Sequence, residues 1–513
     1  MDIADKSIQP MHLEEVGADM TGSKVREHGE EQNRFSPKEI RHIRRRIDYR
    51  LVPALGMLFA ISLMDRSNIS AAAIAGMRVD LELLSGYRYS LITLSFFITY
   101  VIVQAPMTIV CRKAGPRFFL PGVCILWGGL IIGFGFVGKW TTLVALRLIL
   151  GCLEAGYFPG CIYLLSTWYT RYETNQRYSW FYLISVVAGA FAGVLAYGLM
   201  QMDGLAGIEG WRWIFIMEGV ITCLIAGLGM VVLVQFPDQE RQSPSPAFLK
   251  AEELEWVITR LQEDRLDVEA EPFAWRRFFK PAKDIEIWCF AFMQFCMTTT
   301  SYAYTFYLPI ILRDTLHFSI GASQCLVCPP YVAAAVLMLC TAWYGDKHHV
   351  RGPLLIMNCI IALIGLPIAG FARNPWARYV GVFLAVAAVN SNVPLIMTYQ
   401  VSRFPNLART TPATFEALTK MRWKANNIRG QWKRAFCSAT LTGIAGVGGV
   451  SGALVFRTQD GPEYVPGLIA VMTCCGCAIV TCLFLMWYLK HANKKADRGE
   501  ILINDLAGFR YTI

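Results

Sequence analysis

Long apolar runs separated by short polar connectors set the pattern of this chain. Windows nearly free of charge fall at about 51–73, 89–111, 118–138, 142–166, 178–201 and 213–236. A polar stretch, 237–284, follows, with Ser243-Pro244-Ser245-Pro246 and many charged side chains. A second series lies at about 286–312, 321–344, 353–371, 377–400, 435–456 and 466–489. A helix of ~20 apolar residues crosses a hydrocarbon core of ~30 Å. The pattern therefore predicts an all-α membrane protein with twelve transmembrane helices in two six-helix bundles. The expected divisions are 1–48, an N-terminal tail with a short amphipathic helix; 49–236, the first bundle; 237–284, a central loop; 285–490, the second bundle; and 491–513, a C-terminal tail.

The tail to about Arg34 lacks apolar periodicity and is expected to be disordered. Ser36-Pro37-Lys38-Glu39 then has the layout of a capped helix start. Ile40, Ile43 and Ile47 fall on one face among Arg41, Arg44, Arg45 and Arg46, which suggests an interfacial helix leading into span one.

Composition agrees with the pattern. Of the 513 residues 55% are hydrophobic and 17% charged, against about 25% charged in soluble domains, and the mean hydropathy is +0.40. A soluble enzyme is excluded. The 48 Lys+Arg against 38 Asp+Glu give a net charge of +10. Arg112, Lys113, Arg117, Arg171, Arg177, Lys347, Arg351, Lys424, Arg429, Lys433, Arg434, Lys490, Lys494 and Lys495 fall on one side of the membrane, and scattered singles such as Arg78, Lys139, Arg313 and Arg457 on the other. The bias predicts that both termini are cytoplasmic and argues against nucleic-acid binding. The 16 cysteines lie mostly in apolar runs, where a thiol is a small packing residue. Cys325-x-x-Cys328 has no second pair or His cluster beside it, so neither a disulfide framework nor a metal site is expected. No cleavable signal peptide is expected, since the first 48 residues contain no apolar core.

Two six-helix halves around a long loop resemble the layout of the major facilitator superfamily, whose substrate site lies between the halves. Charges inside spans cost about 2.5–3.5 kcal/mol each on insertion, so those present face partners or a wet cavity. Span one carries Asp65, Arg66 and Asn68, and span four carries Arg147 and Glu154. Arg147 and Glu154 are about 700° apart around a helix, hence on one face, with Gly151 between them. An arginine can hold a carboxylate bidentately, and a carboxylic acid taken out of water can exchange a proton near neutral pH. A buried ion pair that locks the bundle is the other reading of the same residues.

The sequence Asp65-Arg66-Ser67-Asn68-Ile69 resembles the D-R-x-N-I signature of the anion:cation symporter family, and Arg147 to Gly160 resembles that family's fourth span. Gly210-Trp211-Arg212-Trp213-Ile214-Phe215 with Glu218-Gly219 is similar to its sixth span. Phe236-Pro237-Asp238, Pro329-Pro330-Tyr331, Asn426-Asn427 and Lys433-Arg434 sit where fungal allantoate-permease-like members have such residues. The resemblance covers about 43–492 and implies proton-coupled uptake of a small organic anion such as a vitamin carboxylate, an allantoin derivative or an amino-acid-like acid. It implies proton exchange at Glu154 and Asp65, and substrate contacts from Arg147, Arg66 and Asn68. By fold analogy Gln294, Tyr302 and Tyr304 in span seven and Asn390 and Asn392 in span ten recognise the rest of the substrate, or form interhelical hydrogen bonds.

Gly345-Asp346-Lys347-His348-His349-Val350-Arg351-Gly352 resembles the superfamily's gating loop. Its first-half copy, Cys111 to Arg117, keeps Arg112 and Arg117 but lacks the acid. The fifth span has Gly189 and Gly193 without the proline of drug antiporters, so import is the expected direction, and these glycines, like Gly448 and Gly452, are expected to pack helices.

Residues 401–422 interrupt the resemblance. Their prolines and bases cannot extend span ten. They read as a loop insertion or as a retained intron: Val401-Ser402 can be encoded by GTGAGT, Leu418-Thr419 can supply CTGAC, and Met421-Arg422 can end in AG. The expected protein is a plasma-membrane symporter that acts as a monomer on a small-molecule anion, with protons as coupling ion, no other cofactor and no nucleic-acid partner. A transporter-derived nutrient receptor and an uncoupled facilitator are the alternatives.

Overall fold

A computed structural model describes residues 35–169, 171–243, 245, 248–265, 279–348, 350–401, 436–437, 439–461 and 463–500. The expected tail before residue 35 and the interruption after Val401 lie outside these residues.

Among the described residues the secondary structure is helical, with no strand. The first half contains α1 (Pro37–Ala72), α2 (Arg88–Ala114) and α3 (Pro116–Phe134). It continues with α4 (Trp140–Glu154 and Tyr157–Trp168), α5 (Arg171–Ala190 and Ala192–Met200) and α6 (Gly210–Val232). The second half contains α7 (Ile285–Asp314), α8 (Ile320–Cys325 and Cys328–His348), α9 (Gly352–Phe371) and α10 (Pro375–Val401). It ends with α11 (Ala439–Val455) and α12 (Val465–Asp497). Ten of the described helices are long and apolar enough to cross a membrane. The polar run through Thr298, Thr299 and Thr300 dilutes α7, and α11 is described over a shorter length. Together they complete the twelve, in the six-plus-six arrangement of the apolar pattern. Ile102, Leu126, Leu228 and Val480 are exposed on the outside of the helices, which suits contact with lipid rather than water.

The first half is a bundle in which α3 packs on α6, α2 on α4, and α1 on both α5 and α6. In the second, α9 and α8 pack on α10, and α12 on α7 and α9. The halves meet through α1 with α7 and α5 with α8.

The helix start at Ser36 forms the capping box: Ser36 Oγ accepts from the Glu39 amide, and the Ser36 amide donates to Glu39 Oε2 at 2.7 Å. The amphipathic stretch is continuous with span one, and Ile43 and Ile47 are buried in protein. Arg46 reaches Glu253 at 2.5 Å on the central-loop helix Ala251–Arg265, and Arg44 reaches Glu173 at 3.0 Å. Arg44 and Arg46 thus dock on the start of α5 and on the central-loop helix of their own chain. At the far end α12 runs two turns past 489, to Asp497.

Twelve spans return the chain to the face where it began. At the opposite face the halves are tied. Arg78 holds Asp314 bidentately at 2.8 and 3.0 Å, and Arg313 donates to the carbonyl of Ile74. Tyr89 donates to the Phe306 carbonyl at 2.9 Å, Ser90 and Tyr307 share a hydrogen bond of 3.1 Å, and Gln324 Nε2 donates to the Ala71 carbonyl at 3.2 Å. This end of α1 turns through Gly76 at φ 129°, a conformation that side chains disfavour.

Candidate functional site

The charged residues of α1 point two ways because consecutive helical positions are about 100° apart. Arg66 faces α4 and α2. Its Nε donates to Glu154 Oε2 at 2.7 Å, and Ser62, one turn earlier, donates to the same oxygen at 2.9 Å. The guanidinium also lies over the rings of Phe96 and Tyr100, 5.3 and 4.9 Å from their centroids. Arg66 is 5% exposed and Glu154 0%. Glu154 Oε1 has no hydrogen-bond partner among the described residues. The pair is thus dry and only half saturated on the acid side, so a change of charge at Glu154 acts directly on Arg66.

Asp65 faces the other way, into the bundle. It accepts from Trp127 Nε1 at 3.1 Å on α3, Thr222 Oγ1 at 3.3 Å on α6 and Asn68 Nδ2 at 3.5 Å. Glu218, one turn before Thr222, is buried, and neither of its oxygens has a hydrogen-bond partner among the described residues. Arg147 is buried too. Its guanidinium lies 5.4 Å from the Phe134 ring, and its Nε and Nη2 lack hydrogen-bond partners among the described residues. Arg147 and Glu154 do share the buried face of α4, but the arginine bonded to Glu154 is Arg66. Gly151 between them serves α2: an added Cβ would stand 2.2 Å from the Phe96 carbonyl oxygen and 2.3 Å from Thr99 Oγ1. Gly151→Val is expected to destabilise the protein by about 1–3 kcal/mol or more by overpacking, read as a lower unfolding midpoint in detergent.

A cavity of about 150 Å³ opens between the halves, walled by α1, α5, α7, α8 and α10. Arg66, Asn68, Tyr302 and Asn390 of the expected site residues line it. Arg66 supplies the charge among the described lining residues. Glu154 stands behind it, so α4 influences the cavity through Arg66 rather than by lining it. On α7, Ser301 donates to Asn390 Oδ1 at 2.6 Å, and Thr305 shares a hydrogen bond of 3.0 Å with Tyr331.

Asn392 lies outside the lining, bonded to Asn358 at 2.9 Å and to the Cys359 sulfur at 3.2 Å. Gln294 is buried one turn from Thr298, with neither amide atom hydrogen-bonded among the described residues. Tyr304 packs its ring on Phe456. Sequence reasoning missed Tyr182, Ser301, Thr305 and Gln324. Tyr331 stood only in the Pro329-Pro330-Tyr331 resemblance, and short polar side chains within apolar runs gave no other signal. Gly193 packs where an added Cβ would meet the Gln324 carbonyl oxygen at 2.2 Å, which brings α5 against α8 and closes the cavity wall.

The gating-loop residues lie near the termini-bearing face. Arg117 donates to Ser245 Oγ at 3.3 Å, and Ser245 Oγ donates to Glu240 Oε2 at 3.0 Å. Glu240 therefore supplies an acid beside the first-half loop, which has none of its own. Arg351 donates to the Thr398 carbonyl, and Lys347 lies over the Trp343 ring at 4.9 Å. The side chain of Asp346 lies outside the described residues. All sixteen cysteines are free thiols.

A profile of the Major Facilitator Superfamily matches residues 55–415. The chain belongs to the major facilitator superfamily. It is a membrane transporter, not an enzyme. An uncharacterized transporter of Schizosaccharomyces pombe is 29% identical to this superfamily member, over 89% of this chain and 88% of its own. The high-affinity nicotinic acid transporter of Saccharomyces cerevisiae is 27% identical, over 83% of this chain and 74% of its own. In fold, the chain is similar to the inward-open xylose transporter XylE from E. coli, with a TM-score of 0.62 at 16% identity, covering 86% of this chain and 96% of that one.

Proposed function

We propose that this transporter carries a small organic anion into the cell together with protons, as an anion:cation symporter of the fungal allantoate-permease-like kind. The single observation that carries the proposal is the buried bond from Arg66, which lines the cavity, to Glu154, which lies behind it. With Glu154 ionised, the guanidinium is engaged by the protein. A proton on Glu154 weakens that bond and frees Arg66 to hold a substrate carboxylate. Loss of the proton draws the guanidinium back to Glu154 and displaces the anion. The cycle thus couples charge on one acid to occupancy of one site. Asp65 and Arg147, buried beside it, are the further charges available to the same exchange. An acid bonded to the cavity's cation favours coupling over uncoupled facilitation. The relative that carries nicotinic acid supports a carboxylate as cargo.

The two-bundle fold supports alternating access as the mode of transport. The plasma membrane is the proposed location, with both termini in the cytosol on the basic-loop bias. Arg117 and Arg351 belong to the cytosolic gate, and the Arg78–Asp314 pair to the outer one. The test of coupling is uptake of a panel of labelled carboxylates into cells, with and without a proton uncoupler. Accumulation that the uncoupler leaves intact would defeat the coupling.

The outer gate gives a separate expectation. Arg78→Ala should increase labelling, from outside, of a cysteine placed at Ser70, a cavity residue. The exchange Arg78→Asp with Asp314→Arg should return it toward the parent rate. Equal labelling of all three would remove the pair from the gate.

A further inference from the structure

The cavity has a feature that charge coupling does not require. Tyr182 from the first half and Tyr302 and Tyr331 from the second all line it. Tyr182 faces the same cavity as Arg66, Tyr302 and Tyr331. Tyr302 is fixed by the ring of Phe97 at 4.8 Å, and Tyr331 by Thr305 at 3.0 Å. Rigid aromatic walls grouped around one guanidinium favour a flat ring that stacks or meets them edge-on.

A second observation comes from α8. Gln324 lines the cavity and is completely buried. Its Nε2 is committed to the Ala71 carbonyl at 3.2 Å, which fixes the amide orientation. Its Oε1 has no hydrogen-bond partner among the described residues. A buried acceptor left unpaired is costly, and a donor on a ligand would remove that cost. Ala71 is five residues beyond Arg66, roughly 7.5 Å of helix rise. The cavity therefore presents a cation at one level, an acceptor about one and a half turns away, and tyrosines among its walls.

The geometry points to a planar, ring-bearing carboxylate with a hydroxyl or amino group on the ring, its carboxylate on Arg66 and its donor on Gln324 Oε1. This deepens the proposed function and rests on its assignment of Arg66 as the anion contact. A flexible aliphatic acid would leave the tyrosines without a ring to contact, and an unsubstituted ring would leave Gln324 unpaired.

The test is binding to the purified full-length protein in detergent at one fixed pH, by competition of four probes: 4-hydroxybenzoate, benzoate, cyclohexanecarboxylate and hexanoate. The expected order of affinity is 4-hydroxybenzoate over benzoate by about tenfold, the equivalent of one recovered hydrogen bond of about 1.4 kcal/mol, and benzoate over both saturated acids by several-fold. Gln324→Leu should bring 4-hydroxybenzoate down to the affinity of benzoate, and Tyr302→Leu should erase the advantage of benzoate over cyclohexanecarboxylate. The ranking in the parent protein needs no variant to fold. Saturated acids that bind as well as benzoate would overturn the ring preference; benzoate binding equal to that of 4-hydroxybenzoate would overturn the role of Gln324; and failure of all four to bind, to Glu154→Gln as well as to the parent protein, would overturn the assignment of Arg66 as the anion contact on which the inference rests. Because no gradient is present, these outcomes are separate from coupling, which fails only if uptake ignores the uncoupler.

Discussion

Glu154→Gln should end uphill accumulation of substrate while exchange of internal for external substrate survives. Glutamine keeps the length of the side chain and a carbonyl to accept from Arg66 and Ser62, which both meet Oε2 in the parent protein. It cannot gain or lose the proton. Arg66 would then be permanently in the state that the protonated acid produces, able to bind an anion but not to release it in response to pH. One pH unit of gradient is worth about 1.4 kcal/mol, or a tenfold concentration ratio per coupled proton. That ratio should fall to one in proteoliposomes with an imposed gradient, whereas counterflow under equal pH should persist. A variant that still concentrates its substrate against a gradient would remove Glu154 from proton exchange.

Loss of Arg66 should be more severe. Arg66→Ala leaves the Glu154 carboxylate, 0% exposed, without its cation, and breaking a buried pair on one side costs about 3–5 kcal/mol. The cavity loses its charged lining residue as well. Uptake is expected to fall by about 100-fold or more, with a lower unfolding midpoint. Arg66→Lys should restore little, because an ammonium lacks the planar guanidinium that reaches Glu154 through Nε and Ser62 through Nη2 while lying over Phe96 and Tyr100. Combining Arg66→Gln with Glu154→Gln should recover the midpoint but not uptake. That result would separate the fold's need for charge balance from the substrate's need for a cation. Full uptake by Arg66→Ala would transfer the anion contact to another residue.

Much of this arrangement was legible one helix at a time. The capping box at Ser36, the two series of six spans and the shared face of Arg147 and Glu154 depend on the spacing of residues along a helix. That spacing is fixed by 3.6 residues per turn whatever the neighbours are. The same arithmetic places Asp65 and Arg66 on different faces of α1 but does not say which helix each face meets.

The partners were decided between helices. Spacing alone puts Arg147 and Glu154 on one face of α4, yet Glu154 bonds to Arg66 of α1, because the close approach of α2 at Gly151 and the rotation of α1 against α4 set which side chains meet. The same holds for the cavity. Tyr182, Thr305 and Gln324 are ordinary members of apolar runs until α5 and α8 come together at Gly193. The chain by itself determined which helices form, how they are grouped, and which charges they carry into the lipid. Only packing determined which of those charges touch and which side chains face the cavity, because each helix's azimuth is fixed by close-packed neighbours distant in sequence.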